Sequence, residues 1–565
     1  MSNSNGEEDL ERLFGDPFDD HNPVGFRAVL AADSARRLPA AGERLLDEWN
    51  CNAEFVPVAL GGRWRDVDEL GRRLRPVFRR DAALGLGYGV TSLMAAVNVW
   101  TAGSAAQQDW LSGELLQRRR TAVAFHELAH GNDLLRNDCT ARITDGQVIF
   151  RGRKEVINNV ERAESVLLLA RTGEDTGGRS QSLFLIDKKE LSPHPGYLPR
   201  WATTGMRACE LGGIDVTGCQ APAATLVGLP GTAAETAMRA FQITRVALPS
   251  MALGILDTAL HLAYRFAVAR QVYGQSVSDL PVVRATLAAA FVDLLTADCL
   301  ATAAARALQL DPRPGAGLAA AVKYLVPQLL DEAMRALSLV FGSTFYINEG
   351  PYAVFEKFYR DLPLVSVGHA GPTACLLTII AELPVLAKRA WRADPAPAAL
   401  FDLAADLPAL DLTRLALLGG RRDLLASSLL ADIATADART PVRVLELMTN
   451  MGDQLSMLGR QCLAAAPVER GPAASAAGFQ AGERYAVLLA AAACIGFWRH
   501  GIPLITDQTG DDTAWIQAAL LRLQARLGGG DGALPELLAE TLFGQLERRV
   551  LQRRSGGLRP TAIFR

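Results

Sequence analysis

The spacing of hydrophobic positions is helical over most of the chain, with one stretch that breaks the pattern. From residue 25 to 120 apolar residues recur every three or four positions, which predicts a helical unit. Over residues 121–230 short apolar runs surround an Asp145-Gly146 turn between two alternating segments, which indicates a small, turn-rich β domain. Long apolar helices return over residues 231–392, as expected for a buried bundle.

Two further segments flank this pattern. Residues 1–24 are rich in Asp and Glu and have few groups to bury, so we expect a disordered tail. A Pro- and Ala-rich stretch at 393–398 is typical of a linker, and residues 393–565 beyond the bundle predict an additional helical domain. The expected fold class is therefore mainly α with a small β domain.

Composition limits which binding partners are expected. The 58 basic and 61 acidic side chains leave a net charge of -3, which favours neither nucleic acid nor an anionic membrane. The longest apolar run, Tyr485–Trp498, is shorter than the ~20 residues that a bilayer requires. The 8 cysteines are scattered without zinc-site spacing, and the first residues do not resemble a signal peptide. We therefore expect a cytoplasmic protein with no metal and no membrane span.

A series of short motifs follows the same order along the chain. AFHELAHGND at Ala124–Asp133 is followed about twenty residues later by GRKEVINN at Gly152–Asn159. ARQVYGQ occupies Ala269–Gln275, and Phe341-Gly342 precedes EKFYRD at 356–361. In order and spacing these segments resemble the signature of acyl-CoA dehydrogenases, which runs T-E-x-x-x-G-S-D, G-x-K-x-W-I-T-N, R-x-x-F-G, F-G-G-x-G and E-x-x-x-R-D.

The resemblance, which covers roughly residues 26–389, implies an acyl-CoA dehydrogenase fold and an FAD cofactor. In that family FAD lies extended between the β domain and the bundle, with an acyl thioester against the flavin. Arg270 matches the arginine that meets the FAD pyrophosphate, usually across a subunit contact, so a homodimer or homotetramer is implied. The positions that match cofactor contacts are Phe125, His126, Asn132, Val156, Asn158, Arg270, Tyr273, Gly342 and Ser343. The expected substrate contacts are Phe241, Thr244 and Arg245.

Several of these positions depart from the family pattern. Val156 replaces a tryptophan that covers one flavin face, and Asn158 and His126 each replace a threonine that contacts the flavin. His369 falls at the position of the catalytic glutamate, eight residues after the Arg-Asp pair, and Thr244 aligns with the second glutamate position that a few relatives use. Neither catalytic position therefore carries a carboxylate.

Three functions remain open after this loss. His369 can replace the glutamate as base in the α,β-desaturation of an acyl thioester, because an imidazole has a pKa of ~6.5, or it can simply pack or bind substrate. A β-keto acid that loses CO2 forms its own carbanion and requires no such base. Reduced flavin could then react with molecular oxygen, as in the related flavoenzymes of specialised metabolism that form epoxyketones. The third hypothesis is a non-catalytic scaffold subunit. The vacated carboxylate positions slightly favour the base-independent first step.

Overall fold

The secondary structure before the first strand is helical and ends at residue 116. The computed structural model describes residues 6–131, 133–174, 177–313, 315–417, 422–501 and 513–564. The helices before the first strand are α1 (Gly6–Phe14), α2 (Phe26–Ser34), α3 (Ala40–Glu48), α4 (Val67–Arg80), α5 (Ala82–Gly85), α6 (Thr91–Ala102) and α7 (Ala105–Leu116). Asp66 begins α4 by accepting a hydrogen bond from the Glu69 amide at 2.6 Å, as an N-cap residue does.

Helix α1 lies inside the segment that composition predicted to be disordered. Glu7 and Glu11 are each 2% exposed, and their carboxylates lie 3.1 and 2.8 Å from the guanidinium of Arg79 in α4. Leu10 and Phe14 are buried beside them. The prediction of disorder is therefore wrong for residues 6–14, because a distant arginine compensates the acidic side chains that suggested it.

The β structure lies between the first and second groups of helices. Its strands are β1 (Thr121–Ala124), β2 (Thr140–Thr144), β3 (Gln147–Arg151), β4 (Arg153–Asn158), β5 (Ser165–Arg171), β6 (Gln181–Asp187), β7 (Gly196–Leu198), β8 (Leu211–Asp215), β9 (Gln220–Pro222) and β10 (Leu226–Val227). One sheet has the order β10-β6-β5-β2-β3-β9, with β1 parallel to β5, and a second has the order β4-β8-β7. Asp145 and Gly146 join β2 to β3 with φ of 50° and 77°, as a two-residue type I′ turn requires.

The bundle that follows is built on three long helices. Its helices are α8 (Ala233–Ala269), α9 (Pro281–Leu310), α10 (Gly315–Phe341), α11 (Val354–Asp361), α12 (Pro363–Val367) and α13 (Pro372–Arg389). A small hairpin of β11 (Gln271–Val272) and β12 (Gln275–Ser276) separates α8 from α9.

Four helical stretches of the described chain are long and apolar enough to cross a membrane by length and composition alone. They are Ala82–Ala102, Ala233–Ala269, Pro281–Leu310 and Val354–Arg389. Of the most apolar 18 residues in each stretch, 89%, 100% and 94% are buried within the protein in the first three stretches, and 44% in the last. Packing inside the protein thus accounts for most of this apolar character.

The last helices share one hydrophobic core with the bundle. They are α14 (Leu424–Ala434), α15 (Val442–Ala464), α16 (Ala476–His500), α17 (Ala514–Arg526) and α18 (Glu536–Leu551), and the last three of them pack against α9. The segment 555–564 then returns into the core. There the amides of Gly556 and Leu558 donate to Asp257 and Asp298 at 2.8 and 2.7 Å.

Candidate active site

A cavity of 370 Å³ lies where the β domain meets α6, α8 and α12. Its walls are mostly apolar, and its volume is within the range of small-molecule sites. Six positions expected from the sequence line it: Phe125, His126, Val156, Asn158, Phe241 and His369. The structure therefore brings together, in one cavity, expected site residues from the β domain, from α8 and from the loop after α12.

The β-domain side of the cavity is shaped by a bulge in β4. The register between β4 and β8 shifts between Glu155 and Ile157, and Val156 between them has φ of 57°. A β-branched residue rarely adopts this conformation, so the surrounding sheet must hold it. The same strand positions two polar groups of the wall. His126 Nδ1 lies 3.1 Å from the Glu155 carbonyl oxygen, and Asn158 donates to the Leu86 carbonyl at 3.2 Å.

His369 occupies a strained turn at the opposite wall. Its φ is 68°, and the Ala370 amide donates to the Gly368 carbonyl across it at 2.8 Å, which closes a γ-turn. The imidazole ring lies 3.9 Å from the Phe241 ring, centroid to centroid, and its Nε2 is buried without a hydrogen-bond partner in the described chain. Burial, and then the charges of Lys323 and Arg245, lower the pKa of His369 well below 6.5. The imidazole is therefore neutral at neutral pH, and it is a weak base.

Two of the expected substrate contacts lie behind this wall. Thr244 is buried, and its hydroxyl donates to the Phe241 carbonyl within α8 at 3.3 Å. Arg245 is also buried, but neither side chain lines the cavity. Lys323 of α10 lies in the same region and donates to the Val365 carbonyl. Sequence reasoning missed Lys323, because a single lysine within an apolar helix carries no signal of its surroundings.

Four of the predicted cofactor positions are not part of the cavity. Arg270, Tyr273, Gly342 and Ser343 are exposed at the ends of α8 and α10, and Tyr273 is 96% exposed. Within a single chain these four residues therefore do not lie with the six that line the cavity. Asn132 lies outside the described residues.

Charged residues of the motifs have structural roles beside the cavity. Lys154 is fully buried, with its Nζ 2.7 Å from Glu127 and 2.8 Å from Asn137 Oδ1, which ties the first motif to the second. Glu127 also accepts hydrogen bonds from the Asp138 and Cys139 amides. Glu127, His130 and Asp138 are close enough to hold a metal ion, but these contacts already use the Glu127 carboxylate.

The E-x-x-x-R-D segment forms a second buried network. Lys357 Nζ lies 2.5 Å from Asp81 and 2.7 Å from Asp361, and all three side chains are at most 1% exposed. Arg360 pairs with Asp33 of α2 and with Asp361. The motif therefore fastens α11, just before the His369 loop, to the N-terminal helices.

Among the residues that the structure describes, no aspartate or glutamate lines the cavity. The two positions where the sequence resemblance places a catalytic carboxylate hold His369 and Thr244.

Comparison with known proteins agrees with this architecture. Residues 234–383 match the family "Acyl-CoA dehydrogenase, C-terminal domain". The mitochondrial short-chain specific acyl-CoA dehydrogenase of Homo sapiens is 25% identical over 345 residues, which is 60% of this chain and 82% of that protein. Butyryl-CoA dehydrogenase from Megasphaera elsdenii superposes with a TM-score of 0.60 at 19% identity, over 67% of this chain and 98% of that one. The prolyl acyl carrier protein oxidase AnaB gives 0.59 at 16% identity, over 67% and 98%.

The fold and these matches define the class of protein. The chain has the acyl-CoA dehydrogenase fold, and the resemblance drawn from its motifs is confirmed. It is an acyl-CoA dehydrogenase-like enzyme, and the cofactor of that class is FAD.

The cavity has features that fit a flavin ring. Its apolar walls suit the ring faces, and Asn158 Oδ1 is a buried acceptor without a hydrogen-bond partner in the described chain. His126 offers a second polar group on the same wall. The residues that would hold the ring are therefore those of β4 and of the loop after β1.

Proposed function

We propose that this protein is an FAD-dependent oxidoreductase that desaturates a carbonyl substrate in the cavity beside His369. The observation that carries the proposal is the convergence of six expected site residues on one cavity at the junction of β domain and bundle. Bound FAD would accept hydride from the substrate. Phe125, Val156 and Phe241 would exclude water and flank the reactants, while His126 and Asn158 would bond to polar edges of the flavin.

Two substrates are compatible with this chemistry, an acyl thioester and a β-keto acid. With a thioester, His369 would have to take the α-proton, since among the described residues its Nε2 has no hydrogen-bond partner and no acidic side chain lines the cavity. The lowered pKa of His369 makes it a poor base for that step. With a β-keto acid, loss of CO2 generates the carbanion, so the second candidate is favoured by the chemistry of the walls. That candidate is a decarboxylating dehydrogenase and monooxygenase of specialised metabolism.

The proposal is tested by the colour and reactivity of the purified protein. A flavin absorption spectrum, with anaerobic bleaching by acyl-CoA thioesters, would support desaturation of a thioester. Oxygen-dependent turnover of a β-keto acid with release of CO2 would support the second candidate. A protein that retains no flavin and reacts with neither would instead be the non-catalytic scaffold.

We further infer that two or four copies of the chain assemble around the cofactor. The ends of α8 and α10 meet, since the rings of Phe266 and Phe341 lie 4.8 Å apart. Large apolar side chains are exposed at this end of the bundle, among them Tyr273, Leu339 and Tyr346. Such a patch favours a subunit contact, which would place Arg270 beside FAD of a second copy. A cytoplasmic location and the use of an electron acceptor or of oxygen remain part of the proposal.

Arg270→Ala is expected to weaken FAD retention by roughly 10- to 100-fold, because a charge-assisted hydrogen bond contributes ~1.5–3 kcal/mol. The flavin-to-protein ratio after dilution and gel filtration measures the effect. Arg335→Ala, which removes an exposed arginine of α10, serves as the control and should retain flavin. Equal flavin content in wild type and Arg270→Ala would exclude the proposed role of Arg270.

A further inference from the structure

Two cations are buried behind the cavity without an acidic partner in the described part of the chain. Arg245 is 8% exposed and Lys323 is 2% exposed, and neither forms an ion pair within the described chain. Arg245 Nε has no hydrogen-bond partner there, and Lys323 Nζ donates to a neutral carbonyl. By contrast, the buried Arg75 of α4 pairs with Asp298 of α9. Arg80 also lacks an ion pair, but two of its guanidinium nitrogens donate to backbone carbonyls, whereas Arg245 Nε has no partner in the described chain.

Both cations border the end of the cavity that His369 forms. The Arg245 guanidinium carbon lies 5.9 Å from the Phe241 ring, which itself contacts the His369 imidazole. Lys323 holds the carbonyl of Val365, a residue that lines the cavity. The two charges thus flank His369 from α8 and from α10.

Among the residues that the structure describes, none in this region supplies the missing negative charge. Cys375 of α13 is the remaining ionisable neighbour of the two cations, and burial raises the pKa of its thiol, which keeps it neutral. Burial also lowers the pKa of Lys323 to about 8, with Arg245 acting in the same direction. The free protein therefore holds a region of positive potential at one end of an apolar cavity.

Isolated charges in a protein interior are unfavourable unless an opposite charge compensates them. In a low dielectric that compensation also acts over several ångströms, so the anion need not touch each cation. We propose that Arg245 and Lys323, acting with His369 at the cavity wall, bind the carboxylate of the substrate. This inference rests on the proposed function and deepens it, because it selects a carboxylic acid with an apolar chain over a neutral thioester.

The region around residue 369 is positively charged, whereas a catalytic glutamate at this position would bring a negative charge. A protein carboxylate at position 369 would be paired internally by the two cations, whereas a neutral imidazole leaves them available. The apolar remainder of the cavity suits the hydrocarbon part of such an acid. Substrate, not protein, would then contribute the acidic group at this position.

Octanoate and its neutral analogue octanamide test the inference on the FAD-loaded full chain. We expect octanoate to bind about 10-fold or more tightly than octanamide, as expected for a charge-assisted contact. Calorimetric titration and perturbation of the flavin spectrum measure binding, and octanoate alone should raise the unfolding temperature. Equal binding of the two probes by the wild type would overturn the inference.

Variants then locate the carboxylate. Arg245→Met and Lys323→Met should each lose most of the preference for octanoate, whereas the charge-conserving Arg245→Lys and Lys323→Arg should retain part of it. Arg335→Met, an exposed cation of α10, should behave as wild type. A preference that persists in both methionine variants would place the anion elsewhere and refute the assignment. Because the wild-type ratio of the two affinities needs no variant, poor folding of a variant cannot hide a failure.

Failure of this inference differs from failure of the proposed function. A protein that holds FAD and is reduced by acyl-CoA, but binds octanoate and octanamide equally, would remain an oxidoreductase with a different substrate. A protein that holds no flavin would refute the function itself.

Discussion

If His369 is the α-proton base, His369→Ala should slow reduction of the flavin by an acyl thioester by about 100-fold or more, because a general base typically contributes a factor of that size. No described acidic residue of the cavity can take over the proton. At saturating β-keto acid, by contrast, the same variant should leave CO2 release nearly intact, since the substrate generates its own carbanion. Any loss with the β-keto acid would then appear later, in desaturation or oxygen transfer.

Stopped-flow measurement of flavin reduction beside CO2 evolution separates the two cases. His369→Glu restores a carboxylate at this position and should keep or raise reactivity with thioesters, provided that the loop places it beside the α-carbon. His194→Ala, at an exposed histidine of the β domain, is the matched control and should change neither rate. A collapse of both reactions in His369→Ala, with rescue by glutamate, would contradict a base-independent first step.

Lys357→Met should lower the free energy of unfolding by ~3–5 kcal/mol, the loss found when one partner of a buried ion pair is removed. Asp81 and Asp361 would be left buried without their shared ammonium group. In the folded protein, burial acts to lower the pKa of Lys357, but the two carboxylates outweigh it and raise this pKa above its ordinary value. The ammonium group is thus charged throughout the neutral range.

Urea titration followed by circular dichroism measures the change in stability. Lys388→Met, which removes an exposed lysine of α13, should stay within ~0.5 kcal/mol of wild type. A Lys357→Met protein as stable as the wild type would contradict the stabilising role of this buried network. Flavin binding should weaken together with the stability of the fold, because α11 directly precedes α12 and the His369 loop.

The sequence predicts those parts of the molecule that depend on local chemistry. The Asp145-Gly146 turn follows from two residues that tolerate positive φ, and the long bundle helices follow from apolar periodicity. The order of the motifs also led to the fold class, which the comparisons confirm. Six of the expected site residues meet at one cavity because their motifs lie on elements that the fold brings together.

The parts that sequence could not predict depend on distant partners. Glu7 and Glu11 suggest disorder until Arg79, some seventy positions away, is placed against them. Lys323 resembles any helical lysine until α12 is placed against it, with the Val365 carbonyl as its acceptor. Arg270 matches a cofactor contact, yet it lies at the surface of the single chain. The proposed contact with FAD of a second copy would account for this exposure.

The segment 555–564 also has a consequence for the order of folding. Its amides satisfy Asp257 and Asp298 across sequence separations of 299 and 260 residues. During synthesis the helices that carry these aspartates emerge long before the segment that completes their core. Contacts of such long range form late and leave apolar surface exposed in the meantime. We therefore expect ribosome-bound chains that stop before residue 555 to recruit chaperones, and the bundle to close only after the segment has been made.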